Sequence, residues 1–156
     1  MVPLSISTDW VLLFLRVMTG IVLIYYGWPK IRNPGSNADD FVGMGFRPGM
    51  LWGTLIAIVE FFGGIAMLTG VYAELAASLF GFQMIVGTFW KLKIKKPFTD
   101  YSYDLQLFGL CIVIMAFGAG RYSIAPFPSG IFLRWDAALG AVLAGFLFAH
   151  LSKPVE

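Results

Sequence analysis

The sequence predicts an all-α, polytopic membrane helix bundle: a four-helix core followed by a fifth apolar segment, all within one membrane domain spanning residues 1–156. Three observations carry this. The composition is 58% hydrophobic and 13% charged, with 18 Gly and a mean hydropathy of +0.78, the profile of membrane spans rather than of a soluble core. Apolar runs near the roughly 20 residues that cross hydrocarbon occur at Asp9–Ile31, Pro48–Gly70, Tyr72–Trp90, Tyr101–Gly120 and Ile131–Leu151. Trp10, Trp28, Trp52, Trp90 and Trp135 each fall near an end of one of these runs, where an amphipathic indole prefers the headgroup level.

Taken in order, the first run has no Lys or Arg before Arg16, unlike a cleaved signal peptide, and is expected to be retained as a span. Pro34-Gly35-Ser36-Asn37 breaks the chain after it, and residues 37–44 are expected to form a short surface helix. Pro48 suits the first turn of the second span, where its missing N–H loses no hydrogen bond. Arg134 and Asp136 shorten the apolar part of the fifth run, the weakest of the five; it is expected to span because little charge follows, with a position in the membrane interface as the alternative. Within it, Ala137, Ala141, Gly145 and Ala149 repeat every four residues, a smooth stripe suited to close packing against this chain or another subunit.

The residue inventory excludes several functions. Net charge is +2 and most basic residues lie in loops rather than on one helical stripe, so nucleic-acid binding has no support. One cysteine, Cys111, forbids an internal disulfide or a CxxC pair. One histidine, His150, forbids bis-His haem ligation and a His-rich metal site. No cofactor motif is evident. The lipid bilayer is the first partner, and the run Lys91–Lys96 is expected to meet anionic lipid or, as a lesser reading, a cytoplasmic partner.

Arg16 and Glu60 are the informative residues, because each is the only formal charge near the middle of its run. Ionisable groups at that depth cost several kcal/mol and persist when paired, hydrated or functional. At ~1.5 Å of rise per residue, Arg16 lies ~10 Å below the outer end of its span, and Glu60, Gln83 and Cys111 lie ~15 Å below theirs. Arg16 shares a stripe with Gly20, Leu23, Gly27 and Lys30; Glu60 shares one with Gly53, Ile56, Ala57, Gly63, Gly64 and Met67. Small residues let membrane helices approach closely, so both charges should face the bundle interior. The expectation is an Arg16–Glu60 ion pair helped by Gln83. Two roles stay open for it: a device that fixes helix register, or the lining of a ligand or quinone pocket. Asp104 and Cys111 share a face of the fourth span with Met115 and Gly118. Cys111 reads first as a small core residue. Tyr25 and Tyr26 could donate to a quinone carbonyl or sit in an interfacial aromatic belt.

The ordered segments resemble one family. Leu15-Arg16, Gly20 and Tyr26-Gly27-Trp28-Pro29-Lys30 are similar to the first-helix pattern of DoxX family membrane proteins. So are Met44-Gly45-Phe46-Arg47-Pro48, Glu60-Phe61-Phe62-Gly63-Gly64 and Leu68-Thr69-Gly70. The same holds for Asp104 and the closing Gly118-Ala119-Gly120-Arg121-Tyr122-Ser123. The resemblance covers residues 12–124. It implies a four-helix bundle of the prokaryotic cytoplasmic membrane, with Arg16, Lys30, Glu60 and Arg121 matching the recurring charged positions. It also implies links to thiosulfate:quinone oxidoreductase or to other membrane redox complexes. Three departures bear on this. Ala125 stands where an acid often follows the Gly-Arg-x-Ser motif, the third span offers Gln83 and Trp90 in place of a histidine, and a fifth segment is appended. The first two weaken autonomous redox catalysis; the third favours a subunit contact.

The expected function is thus an accessory or non-autonomous redox-associated subunit of a larger membrane complex. The alternatives are a quinone-linked oxidoreductase subunit with Arg16 and Glu60 lining its site, and a small-molecule transporter. The last is weakened by the single polar layer and the lack of an inverted repeat. Lys30, Arg32, Arg47, Lys91, Lys93, Lys95, Lys96 and Lys153 lie on one side of a five-span arrangement, against Arg121 and Arg134 on the other. Positive-inside bias therefore puts the N-terminus outside and the C-terminus in the cytoplasm. A phosphatase–fluorescent protein pair of reporters fused after Glu156 tests this: fluorescence without phosphatase activity is expected.

Overall fold

A computed structural model of the chain describes residues 7–126 and Leu143. The expected fifth span and its small-residue stripe lie outside the described residues. Helices run over Thr8–Arg32 (α1), Pro34–Gly43 (α2), Gly49–Thr69 (α3), Ala73–Lys93 (α4) and Phe98–Phe117 (α5). All but α2 are long and apolar enough to cross a membrane. About a third of the most apolar stretch of each is buried inside the protein. The remainder, including Phe14, Leu51, Leu55 and Phe62, is exposed and meets lipid in a multi-pass membrane protein.

Local chemistry explains the boundaries. Asp9 sits in the first turn of α1 and Lys30 and Arg32 in its last, each complementing the helix dipole. Pro34 occupies the first turn of α2, so the cluster expected to act only as a breaker also starts the next helix. Pro48 and Pro97 stand in extended conformation immediately before α3 and α5. Gly70 ends α3 in the left-handed conformation, the usual glycine stop.

α1 packs antiparallel along α3, and α4 along α5. The α1–α3 seam is built from glycine. A Cβ on Gly20 would stand 2.7 Å from the Gly64 carbonyl, and one on Gly27 would stand 2.6 Å from the Phe61 nitrogen. The buried face of α1 is Leu12, Arg16, Thr19, Gly20, Leu23 and Gly27, close to the stripe read from the sequence. Glu60 shares its buried face with Gly53, Ala57, Gly64 and Met67, as expected, while Ile56 and Gly63 are only partly buried. The apolar core gathers Leu23, Met67, Ala77, Phe80, Cys111 and Ile114 from four helices.

α2 is more than a surface helix. Asn37 and Ala38 are buried, with their backbone lying where a Cβ on Gly53 would stand 3.0 Å from the Ala38 nitrogen. The Asn37 side chain donates to the Gly53 carbonyl, so α2 docks as a wedge on the first half of α3.

Replacing Gly27 by Ala is expected to destabilise the protein by about 1–3 kcal/mol, because backbone rather than a flexible side chain fills the space. Gly109→Ala, at an exposed α5 position with nothing within 4 Å of the added carbon, is expected to be neutral or stabilising by up to ~1 kcal/mol. Thermal unfolding of both variants in mild detergent checks the contrast.

Candidate functional site

The seam register determines which polar groups meet. Arg16 is completely buried and lies beside the end of α3: Nη1 donates to the Met67 carbonyl at 3.2 Å and Nη2 to the Tyr122 carbonyl at 3.0 Å. Glu60 stands seven residues before Met67, ~10 Å along the helix axis. The expected Arg16–Glu60 ion pair is therefore not formed. Equal depth was inferred from run ends, but antiparallel packing puts Arg16 against the carboxyl-terminal turn of α3 instead. There it binds a carbonyl left open by the helix ladder, at the negative end of the dipole.

Arg16 thus belongs to a closed end of the bundle. Gly118 and Gly120 both take positive φ, which lets the chain after α5 turn tightly back over the other helices. Within this turn the Ala119 N–H donates to Glu74 Oε1 and the Arg121 N–H to Asp9 Oδ1, both at 2.9 Å. Tyr122 packs against Trp10 as a tilted ring pair with centroids 4.6 Å apart. A parallel bridge joins Val71 to Ala125. Arg121 thus contributes its backbone here, and its side chain is on the exposed surface.

Glu60 takes its partners from elsewhere. Lys30, in the last turn of α1, turns back into the bundle and donates to both carboxylate oxygens at 2.6 Å. Gln83 Nε2 donates to Glu60 Oε1 at 2.5 Å. The Glu60 side chain is 4% exposed and that of Lys30 31%, so the acid is the buried member and the ammonium the approachable one. Because an ionised carboxylate only accepts, the Gln83 amide must present its nitrogen to it. Gln83 Oε1 is left buried without a partner.

These three residues help line a cavity of about 470 Å³, within the range of small-molecule sites. Its wall is mostly apolar, with Leu55, Val59, Phe80 and Phe82 among the contributors. A second acid–lysine pair lines it: Lys91 Nζ lies 2.6 Å from Asp104 Oδ2 and also donates to the Asp100 carbonyl. Tyr26 and Tyr103 line it too, with ring centroids 6.1 Å apart. Trp90 closes one side, its indole N–H donating to the Met44 carbonyl.

Sequence reasoning placed Arg16, Glu60, Gln83 and Cys111 in one polar layer; the structure divides them. Glu60, Gln83, Lys30, Tyr26 and Asp104 meet at the cavity. Arg16 is in the closed end. Cys111 is fully buried in the apolar core facing Gly81, the core role read for it first. Tyr25 is 73% exposed on the outer surface and does not line the cavity. Sequence reasoning missed Asn37 and Tyr103, and it singled out Trp90 and Lys91 for other roles than lining this cavity. The signal for Lys91 was available, since Asp104 on an otherwise apolar face requires a cation, and the lysine run lies one short loop away. Among the described residues no three His, Cys, Asp or Glu side chains converge as metal ligands.

Comparison with known proteins gives two findings. The family profile described as DoxX matches residues 11–92. A Bacillus subtilis protein named "Putative oxidoreductase CatD" is 28% identical over 116 residues, covering 74% of this chain and 84% of its own. No solved structure gives a significant match.

Lys30→Met is expected to destabilise the protein by roughly 3 kcal/mol, because it strands a buried carboxylate. Lys30→Met combined with Glu60→Met is expected to recover most of that loss, since an apolar pair fits an apolar wall. Chemical unfolding of the wild type, both single variants and the double variant gives the coupling energy.

Proposed function

The chain belongs to the DoxX family of multi-pass membrane proteins, and on that premise we propose that it is a non-autonomous, redox-associated membrane subunit whose cavity takes a quinone-type ligand. The observation that carries this reading is the cavity itself: a mostly apolar space with a Lys30–Glu60–Gln83 cluster on its wall, of which Glu60 is the buried member. Binding sites for small amphipathic molecules have this form, with extensive apolar contact and a few polar groups that set orientation.

The donor and acceptor set suits a quinone head. The Lys30 ammonium and the Tyr26 and Tyr103 hydroxyls can donate to carbonyl oxygens. Glu60 and Gln83 supply acceptors for the hydroxyls of the reduced form, and the unpartnered Gln83 Oε1 leaves acceptor capacity there. When bound, such a group supplies reversible electron and proton uptake. The protein's own residues orient the head, exclude bulk water and hold a proton-accepting carboxylate at the wall. Arg16 has no part in this site, which replaces the expectation that Arg16 and Glu60 line it together.

The non-autonomous assignment rests on the residue inventory: one cysteine and one histidine provide no thiol pair and no bis-His haem ligation. Electrons therefore come from a partner. The oxidoreductase name of the Bacillus relative supports a redox association. Lys30, Arg32, Arg47 and Lys91–Lys96 cluster at the bundle end that carries α2, which supports placing that end at the cytoplasmic face of a prokaryotic cytoplasmic membrane.

Purification from the native membrane in mild detergent tests the proposal. Co-purifying subunits and solvent-extractable quinone are expected, with quinone lost by at least about tenfold in Glu60→Gln while the subunits remain. A lone, quinone-free protein would defeat it.

A further inference from the structure

Resting on the quinone-type reading of the cavity, we propose that it takes a 1,4-dioxygenated ring and holds both oxygens at once, one at Lys30–Glu60 and the other at Lys91–Asp104. The two pairs are built alike. Each has a lysine Nζ 2.6 Å from a carboxylate oxygen, and each sets a buried acid against a partly exposed lysine. Side-chain exposures are 4% and 31% in the first pair, 10% and 27% in the second. Both pairs line the same cavity. One such pair on an apolar wall can serve register alone. Two of the same form around one space suit a ligand with two polar ends.

Donor counting shows that each pair is still open. An ammonium has three N–H donors. Lys30 commits two of them to the two oxygens of Glu60. Lys91 also commits two, to Asp104 and to the Asp100 carbonyl. One donor is left at each pair. Each can therefore donate to a carbonyl oxygen, and its carboxylate can accept when that oxygen carries a hydrogen. Quinone and hydroquinone are held at the same two points, with no proton passing between ligand and protein. Spacing then selects the 1,4 arrangement. Gln83 on α4 holds Glu60 through Nε2, and one turn further on, a Cβ on Gly87 would stand 3.3 Å from Asp104 Oδ2. The two carboxylates thus meet α4 at levels ~6 Å apart along its axis. That suits oxygens at opposite corners of a six-membered ring and exceeds the separation of adjacent ones. Tyr103, on the cavity wall, lies within electrostatic reach of both Glu60 and Asp104, so the two acids border one space.

The test uses the full chain in lipid nanodiscs with 2-decylhydroquinone, 2-decylphenol and 3-decylphenol, each phenol lacking one of the two hydroxyls. Affinities are referred to ligand concentration in the lipid, so that differences in partition cancel. In the wild type the hydroquinone is expected to bind at least about tenfold more tightly than either phenol, because each phenol lacks one contact with a charged pair. No variant is needed for that arm. Two pair deletions then locate the contacts: Lys30→Met with Glu60→Met, and Lys91→Met with Asp104→Met, neither of which strands a buried charge. With one pair left, only one oxygen can be held, so the hydroquinone is expected to lose its advantage over the better phenol in both. A wild type that binds either phenol as tightly as the hydroquinone overturns the two-point contact and leaves the quinone reading standing. So does an advantage that survives either deletion, as it would if the deletion only loosened the cavity and weakened all three ligands alike. If neither the hydroquinone nor decylquinone binds the wild type, the quinone reading falls and this inference falls with it.

Discussion

The glycine seam between α1 and α3 determines the rest of this structure. Inside a bilayer no water takes up an unsatisfied polar group, so every intramembrane charge depends on which neighbours the packing delivers. Gly20, Gly27 and Gly64 bring two backbones into contact, and contact at that distance permits little freedom of register. The register then assigns partners. Arg16 faces the end of α3, and Lys30, from the opposite end of α1, comes within reach of Glu60. Shape decides the electrostatics here. Had the helices been held apart by larger side chains, the same charges would have lacked their partners.

The two ends of the bundle differ in kind. One is closed by backbone: the loop after α5 hydrogen-bonds to α1, to the α3–α4 turn and to the first turn of α4. The other holds α2 and the acid–lysine pairs around the cavity. Local opening is easiest where few buried apolar contacts and few backbone bonds oppose it. A ligand that arrives through the membrane or its interface is therefore expected to use the α2 end, while the closed end holds the helices in place.

Much of this was legible in the sequence, for identifiable reasons. Span length, tryptophan positions and small-residue stripes are direct consequences of bilayer thickness and helix periodicity, so four of the five expected spans and the inward faces of Arg16 and Glu60 followed from them. Pairing was not legible in the same way. Depth counted from run ends carries an error of several residues, and the register sets Arg16 about two turns past Glu60, leaving Lys30 from the far end of α1 as its partner. Long side chains add to that error, because a lysine in the last turn of a helix can reach outward to the headgroups or back into the bundle. Lys91 was read as part of a surface charge run for the same reason. The cavity itself depends on how α2 seats against α3, and no periodicity in so short a helix announces that a wedge will form.

Arg16 binds two main-chain carbonyls, those of Met67 and Tyr122. Every residue type supplies a carbonyl, so the side chains at those two positions can change without disturbing the contact. Substitutions at 16, 67 and 122 therefore need not be correlated, and a search for covarying pairs would pass over one of the links that ties α1 to the end of α3. What the contact does constrain is backbone shape, through the glycines at 70, 118 and 120 that hold the two carbonyls in position. The partner of this buried charge is, in evolutionary terms, a curve of the chain rather than a residue.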